Sequence, residues 1–123
     1  MNTDLTIDAL MRELKLSDGQ LNTSIDESDL FHLARCFENA DDYVEKFGLS
    51  PAQQTEVEDK CSLRGVVAGI KKALKFWRRK NPLLATFRTL LDIVLSLKKG
   101  DVAVRICQYL ADKCECLTMC NNL

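Results

Sequence analysis

Three groups of side chains in this sequence have types and spacings that could do chemistry, and the first is a histidine–cysteine pair. His32 and Cys36 are four residues apart, so a helix would place both on one face, as a cysteine nucleophile with a neighbouring base requires. No third residue that would orient the imidazole can be named. The chain also lacks a glycine-rich phosphate loop and the common hydrolase motifs. We therefore expect His32 at the surface, no catalytic residue and no enzyme activity.

The second group is a set of cysteines near the C-terminus. Cys107, Cys114, Cys116 and Cys120 are separated by six, one and three residues. Structural zinc sites use ligand pairs about two to four residues apart, which only the last two approach. Cys107 falls on the apolar face of a predicted helix, where a free thiol behaves as a small hydrophobic side chain. We expect no metal site, no cofactor-binding residue and no small-molecule substrate.

The third group is a run of basic residues from Lys71 to Lys80, which belongs to a larger separation of charge. Residues 1–62 carry a net charge of −9 and residues 63–123 carry +8, although the whole chain has only −1. Such a run could contact phosphates, but Phe76 and Trp77 are adjacent and lie on different helix faces, and the isoelectric point is near 5.8. The separation of charge between the two halves of the chain instead favours association between oppositely charged surfaces.

The composition is that of an ordinary soluble domain. Apolar residues make up 46% and charged residues 28% of the 123 residues, and five glycines and two prolines argue against a turn-rich β architecture. No segment resembles a signal peptide, and the most apolar stretch, residues 83–97, is interrupted by Arg88 and Asp92. We expect a cytoplasmic protein with reduced cysteines and no membrane partner.

The elements that must position these side chains are helices, because apolar residues recur at helical spacing and no segment alternates long enough to predict a strand. Ser50 and Gln53 form a predicted capping box, Ser62 is a predicted cap, and Pro82 ends the preceding helix. Trp77 and Leu84 are predicted core residues. The expected helices cover residues 6–16, 28–38, 43–47, 50–60, 62–80, 83–98 and 101–112, with a polar linker at 18–28.

Five segments of the chain are similar, in order and spacing, to the helices of death domains. One departure is Tyr43, which stands where the family usually has tryptophan and can fill the same space with its hydroxyl in water. The segments are Asp29-Leu30-Phe31-His32-Leu33-Ala34, Tyr43-Val44-Glu45-Lys46-Phe47-Gly48-Leu49-Ser50, Ala73-Leu74-Lys75-Phe76-Trp77-Arg78-Arg79-Lys80, Ala85-Thr86-Phe87-Arg88-Thr89-Leu90-Leu91 and Gly100-Asp101-Val102-Ala103-Val104-Arg105-Ile106.

This resemblance implies an all-α fold, a six-helix antiparallel Greek-key bundle, with the helix near residues 6–16 as an addition. The expected organisation is an N-terminal extension at 1–27, a death domain at 28–113 and a cysteine-containing tail at 114–123. The family has no catalytic activity. The resemblance therefore implies homotypic association with other death-domain proteins in apoptosis or innate immunity, through adaptors, receptors, kinases or caspases.

The charge separation predicts which residues would take part in that association. Oppositely charged patches on one domain allow head-to-tail contacts, which propagate instead of closing. The predicted acidic surface comprises Asp41, Asp42, Glu45, Glu56, Glu58 and Asp59. The predicted basic surface comprises Lys71, Lys72, Lys75, Arg78, Arg79, Lys80 and Arg88.

Two other functions fit parts of the sequence. A helical nucleic-acid-binding or transcriptional regulatory domain would use the basic helix ending at Lys80 to contact phosphates. A closed homodimer would be sealed by the amphipathic helix from Ile7 to Leu14. Both rank below protein–protein docking, because only docking uses both halves of the charge separation.

Overall fold

Seven α-helices and one 3-10 turn form the secondary structure of residues 5–121, and this range contains no strand. The structure is a computed structural model that describes the backbone of these residues and the side chains of residues 5–113. The predicted all-α class is confirmed. The helices are α1 (Ile7–Leu14), α2 (Asp18–Leu21), α3 (Leu30–Ala34), α4 (Pro51–Arg64), α5 (Val66–Lys80), α6 (Phe87–Ser96) and α7 (Gly100–Asn121), and the 3-10 turn is Glu27–Asp29.

The chain divides into two compact units, and one of the two boundaries, between Ala85 and Thr86, lies inside the expected domain at 28–113. The first unit joins the chain up to Thr23 with the chain from Thr86 onward, and the second unit is Ser24–Ala85. In the first unit α6 packs on α7, α1 contacts both helices, and α2 contacts α6. Its buried apolar side chains include Leu90, Leu91, Val94, Ile106 and Leu110.

The second unit is organised around α5, which packs against both α3 and α4. The core-facing side of α5 presents Ile70, Ala73, Leu74 and Trp77, a spacing that follows the helical repeat. Four aromatic rings extend this core. Ring centroids are 4.7 Å apart for Phe37–Tyr43, 5.9 Å for Tyr43–Phe47 and 5.6 Å for Phe47–Trp77.

The capping box predicted at Ser50 is confirmed. The Ser50 hydroxyl accepts a hydrogen bond from the Gln53 backbone N–H at 3.2 Å, and the Gln53 side chain accepts one from Ser50 N–H at 3.0 Å. Pro51 occupies the first turn of α4, where its missing N–H costs nothing. A similar box between Thr86 and Thr89 begins α6 four residues later than predicted. Leu84 therefore lies before the helix and is 63% exposed, so its predicted place in the core was wrong.

The boundary between α4 and α5 also differs from the prediction. Ser62 does not cap a helix; it lies within α4, which continues to Arg64. Gly65 makes the break with φ +97°, a backbone conformation that residues with a side chain rarely adopt. The break comes three residues later than expected. Leu63 and Val66, whose spacing predicts a place on the apolar face of the next helix, are 80% and 43% exposed.

In two short segments the observed secondary structure differs from the prediction. The stretch around residues 43–47, expected as a helix, is a series of turns in which the Phe47 N–H bonds the Tyr43 carbonyl and the Gly48 N–H bonds the Glu45 carbonyl. Tyr43 is buried and so is its hydroxyl, which was expected in water. The expected polar linker contains α2, which begins at a capping box between Ser17 and Gln20.

The last helix begins at Gly100, one residue before the predicted cap at Asp101, and its backbone is helical to Asn121. The predicted tail thus falls partly on this helix, and its side chains lie outside the described residues. None of the described helices has both the length and the apolar character that crossing a membrane requires.

Candidate functional site

A basic groove of about 620 Å³ lies in the second unit and is lined by α4 and α5. In the part of the chain with described side chains, nine residues line it; six are lysine or arginine, and one carries a carboxylate. The basic groove is defined by Glu56, Lys60, Arg64, Ala68, Lys71, Lys72, Lys75, Phe76 and Arg79.

The helical repeat explains why these side chains converge. On α4, Glu56, Lys60 and Arg64 are spaced by four residues and therefore follow one flank of the helix. On α5, Lys71, Lys75 and Arg79 are also spaced by four. Each helix thus contributes a row of cations, and the packing of α4 on α5 makes the two rows the walls of one concavity.

Aromatic and apolar surface lies among these cations. Phe76 and Ala68 line the groove, and the Lys72 Nζ is 5.8 Å from the centroid of the Phe76 ring. This distance allows a favourable interaction between the ammonium and the face of the ring. Phe76 is therefore not a core residue like its neighbour Trp77, and it holds Lys72 beside the groove.

Few of the groove cations are neutralised by the protein itself. Among the residues that the structure describes, Lys60, Arg64, Lys71 and Arg79 have no carboxylate at ion-pair distance. Lys75 has one, at 3.5 Å from Glu27. The groove thus keeps a strongly positive field, since Glu56 is the one acidic residue among the described residues that line it.

Three of the predicted basic residues lie outside the groove. Arg78 supports the fold: its Nε donates to the Ile25 carbonyl at 2.8 Å and its Nη1 to Glu27 at 3.2 Å. Lys80 donates to the Gly48 carbonyl. These contacts are within the second unit and tie α5 to the segments before α4.

Arg88, the last of these predicted basic residues, belongs to the first unit. It contacts Asp18 at 2.7 Å and the Asn22 side chain at 3.0 Å. Of the predicted basic surface, Lys71, Lys72, Lys75 and Arg79 line the basic groove. Lys60 and Arg64 were missed, and the signal for them was their four-residue spacing from Glu56 on a helix that was predicted to end at 60.

The acidic residues lie in different places around α4. Asp41 and Glu58 are both close enough to Cys61 to act on its thiol: burial first, and then the charges of Asp41 and Glu58, raise the pKa of Cys61. Asp42 and Glu45 are exposed on the same turn segment as Asp41. We call Asp41, Asp42, Glu45 and Glu58 the acidic patch.

The acidic patch and the basic groove use opposite flanks of α4. Residues 58 and 60 are about 200° apart around the axis, since each residue of an α-helix turns about 100°. Glu58 therefore points away from the side that carries Lys60 and Arg64. Glu56, predicted as part of the acidic surface, lies in the basic groove instead, and Asp59 is exposed on the solvent side of α4.

Comparison with family models, curated proteins and solved structures found no match to this chain. No family is identified. The death-domain resemblance therefore rests on the five sequence segments, and the functional argument on the basic groove and the acidic patch.

The two members of the histidine–cysteine pair lie in different environments, because Cys36 is buried. His32 is exposed, and the Cys36 thiol donates to the His32 backbone carbonyl at 3.6 Å. Among the residues with described side chains, no three His, Cys, Asp or Glu are grouped as metal ligands. Cys114, Cys116 and Cys120 lie outside those residues.

Cys107 should be the least reactive of the three described cysteines, Cys36, Cys61 and Cys107. It is fully buried, and burial raises its pKa from 9.0 to about 11, so the reactive thiolate is scarce at about pH 8. We expect iodoacetamide to modify the partly exposed Cys61 first and Cys107 only after denaturation in urea. Peptide mapping by mass spectrometry measures both, and equal rates in the native protein would contradict this environment for Cys107.

Proposed function

We propose that this protein is a noncatalytic interaction module that associates homotypically, in the manner of death domains, in intracellular signalling such as apoptosis or innate immunity. Its partners are further copies of the chain or other death-domain proteins. The Greek-key arrangement of the helices is part of this proposal. It is supported by the order of the segments that resemble the family.

The observation that carries the proposal is the placement of two oppositely charged surfaces on one compact unit. The basic groove and the acidic patch lie on opposite flanks of α4, so one copy can offer both at once. When the acidic patch of one copy binds the basic groove of another, the pair still has one free patch and one free groove. Further copies can therefore add at both ends, as signalling assemblies require. A basic or acidic surface alone would give no such arrangement.

In the proposed contact, Asp41 and Glu58 of one copy face the basic groove of the next. Lys60, Lys71 and Arg79 are exposed and reach an incoming carboxylate without first breaking an internal ion pair. Complementary charge of this kind accelerates encounter and fixes the register of the partners. Glu56 within the groove repels a carboxylate placed beside it, which restricts where the acidic patch can dock.

Two variants test this contact, one on each surface. Asp41→Lys/Glu58→Lys reverses the acidic patch, and Lys60→Gln/Lys71→Gln/Arg79→Gln neutralises half of the groove cations. Each variant alone should associate at least about tenfold more weakly than the natural protein. A mixture should form one-to-one dimers, because only one intact groove and one intact patch can meet. Size-exclusion chromatography with light scattering measures the masses.

The matched control for the groove is Arg12→Gln/Lys15→Gln/Lys98→Gln, which removes three exposed cations outside both proposed surfaces. It should associate like the natural protein. Salt raised from about 50 to 500 mM should also dissociate the assemblies, because the screening length shortens to a few ångströms. Association that survives both the groove variant and high salt would refute the proposed contact.

A further inference from the structure

The basic groove has more positive charge in a smaller space than docking of two carboxylates requires. Six cations surround about 620 Å³, on two helices that pack against each other. We propose that this groove binds a compact, multiply phosphorylated small anion, of the inositol polyphosphate class, either free or as the headgroup of a lipid. This inference goes beyond the proposed function and does not depend on it.

The size of the groove fits such a ligand. Small-molecule sites usually have about 300–1,000 Å³, and the basic groove falls within that range. A protein partner needs a much larger and flatter area, of the order of 800 Å² on each side. A concavity of this size can therefore hold a small ligand by itself, whereas a docked protein must also contact the surface around it.

The kinds of cation in the groove also fit several phosphates. Arg64 and Arg79 can each bind two oxygens of one phosphate with their planar guanidinium groups. Lysines such as Lys60 and Lys71 act as flexible point charges between them. Because the cations lie on both walls, a ligand with phosphates on several sides can be contacted from α4 and α5 together.

A nucleic acid fits the groove less well than a compact anion. A duplex needs cations spread along a stripe, with one phosphate charge for about every 1.7 Å of its axis. Here the carboxylates of Glu56 and Asp59 lie on α4 beside the cations, and Glu58 lies on its other flank. These charges limit the positive area to the groove itself and repel a long polyanion that extends beyond it.

The test is isothermal titration calorimetry of the full chain with inositol hexakisphosphate, at about 150 mM salt where the screening length is about 8 Å. We expect saturable one-to-one binding, weakened at least about tenfold by Lys60→Gln/Lys71→Gln/Arg79→Gln. The control Arg12→Gln/Lys15→Gln/Lys98→Gln, which has the same net charge as the groove variant, should bind like the natural protein. The acidic-patch variant Asp41→Lys/Glu58→Lys should still bind the anion, because its groove is intact. Loss of self-association can thus be distinguished from loss of anion binding.

Two further probes assign the source of the phosphates and the class of ligand. Co-sedimentation with vesicles of phosphatidylcholine containing phosphatidylinositol bisphosphate, lost in the groove variant, would support the lipid headgroup; binding to the free anion alone would support a soluble ligand. Failure to bind either probe, or equal weakening in the groove variant and its control, would overturn the proposal. Tighter binding of a short DNA duplex than of inositol hexakisphosphate would overturn it in favour of a nucleic acid.

Discussion

Replacing Trp77 by alanine is expected to lower the free energy of unfolding of the second unit by about 3–5 kcal/mol, the usual cost of removing a large buried aromatic side chain. Trp77 is 4% exposed, and its ring centroid lies 5.6 Å from that of Phe47. The variant leaves a cavity on the core side of α5, where neighbours from several segments converge. Such a loss is a large part of the stability of a domain.

The measurement is urea denaturation followed by circular dichroism, because Trp77 is the only tryptophan and its fluorescence disappears with the substitution. Phe31→Ala is the matched control: it also removes an aromatic ring, but Phe31 is 48% exposed, so its cost should stay below about 1 kcal/mol. Equal costs for the two variants would show that Trp77 does not occupy the core.

Periodicity in the sequence was enough to predict the longer helices and most of their core residues. Apolar spacing identified Trp77 as a core residue on α5, and the capping signature at Ser50 predicted the start of α4. These signals are local, because helical contacts and caps involve residues within about four positions. The prediction failed at the boundary between α4 and α5, where Ser62 and Gly65 are both residue types that occur at helix ends. The positive φ of Gly65, which makes the break, cannot be predicted from the neighbouring residues.

The candidate site depended on information that local patterns lack. Whether Glu56 belongs to the acidic or the basic surface follows from how α4 is rotated on α5, which only tertiary packing decides. Arg78 was predicted as a docking residue, and in the structure its Nη1 donates to Glu27, which is 51 positions away. Ion pairs between such distant residues cannot be predicted from sequence spacing. They distinguish the cations that stabilise the fold from those that can bind a partner.

Replacing Gly69 by alanine is expected to destabilise the second unit by about 1–3 kcal/mol, the usual cost of overpacking a close contact. A Cβ atom at Gly69 would lie 2.0 Å from the Cys61 Sγ and 3.2 Å from the Cys61 backbone nitrogen. The glycine therefore allows α5 to approach α4 at this point. The measurement is again urea denaturation, with the Trp77 fluorescence as the signal.

Gly19→Ala is the matched control, because the nearest atom to its added Cβ is Ser17 Oγ at 3.8 Å, an ordinary contact. Alanine also favours a helix over glycine, so this variant should be neutral or slightly stabilising. Cys61→Ala should reduce the cost of Gly69→Ala without abolishing it, because the Cys61 backbone remains close. If Cys61→Ala has no effect on that cost, the thiol is not what Gly69 accommodates.

The same substitution connects helix packing to the candidate site. The cation rows of α4 and α5 form one groove only because the two helices approach closely, and Gly69 lies at the point where their spacing is set. Folded Gly69→Ala protein should therefore bind inositol hexakisphosphate more weakly, although every groove cation is retained. If Gly69→Ala is measurably destabilised but binds inositol hexakisphosphate with unchanged affinity, the distance between α4 and α5 does not determine binding by the groove cations.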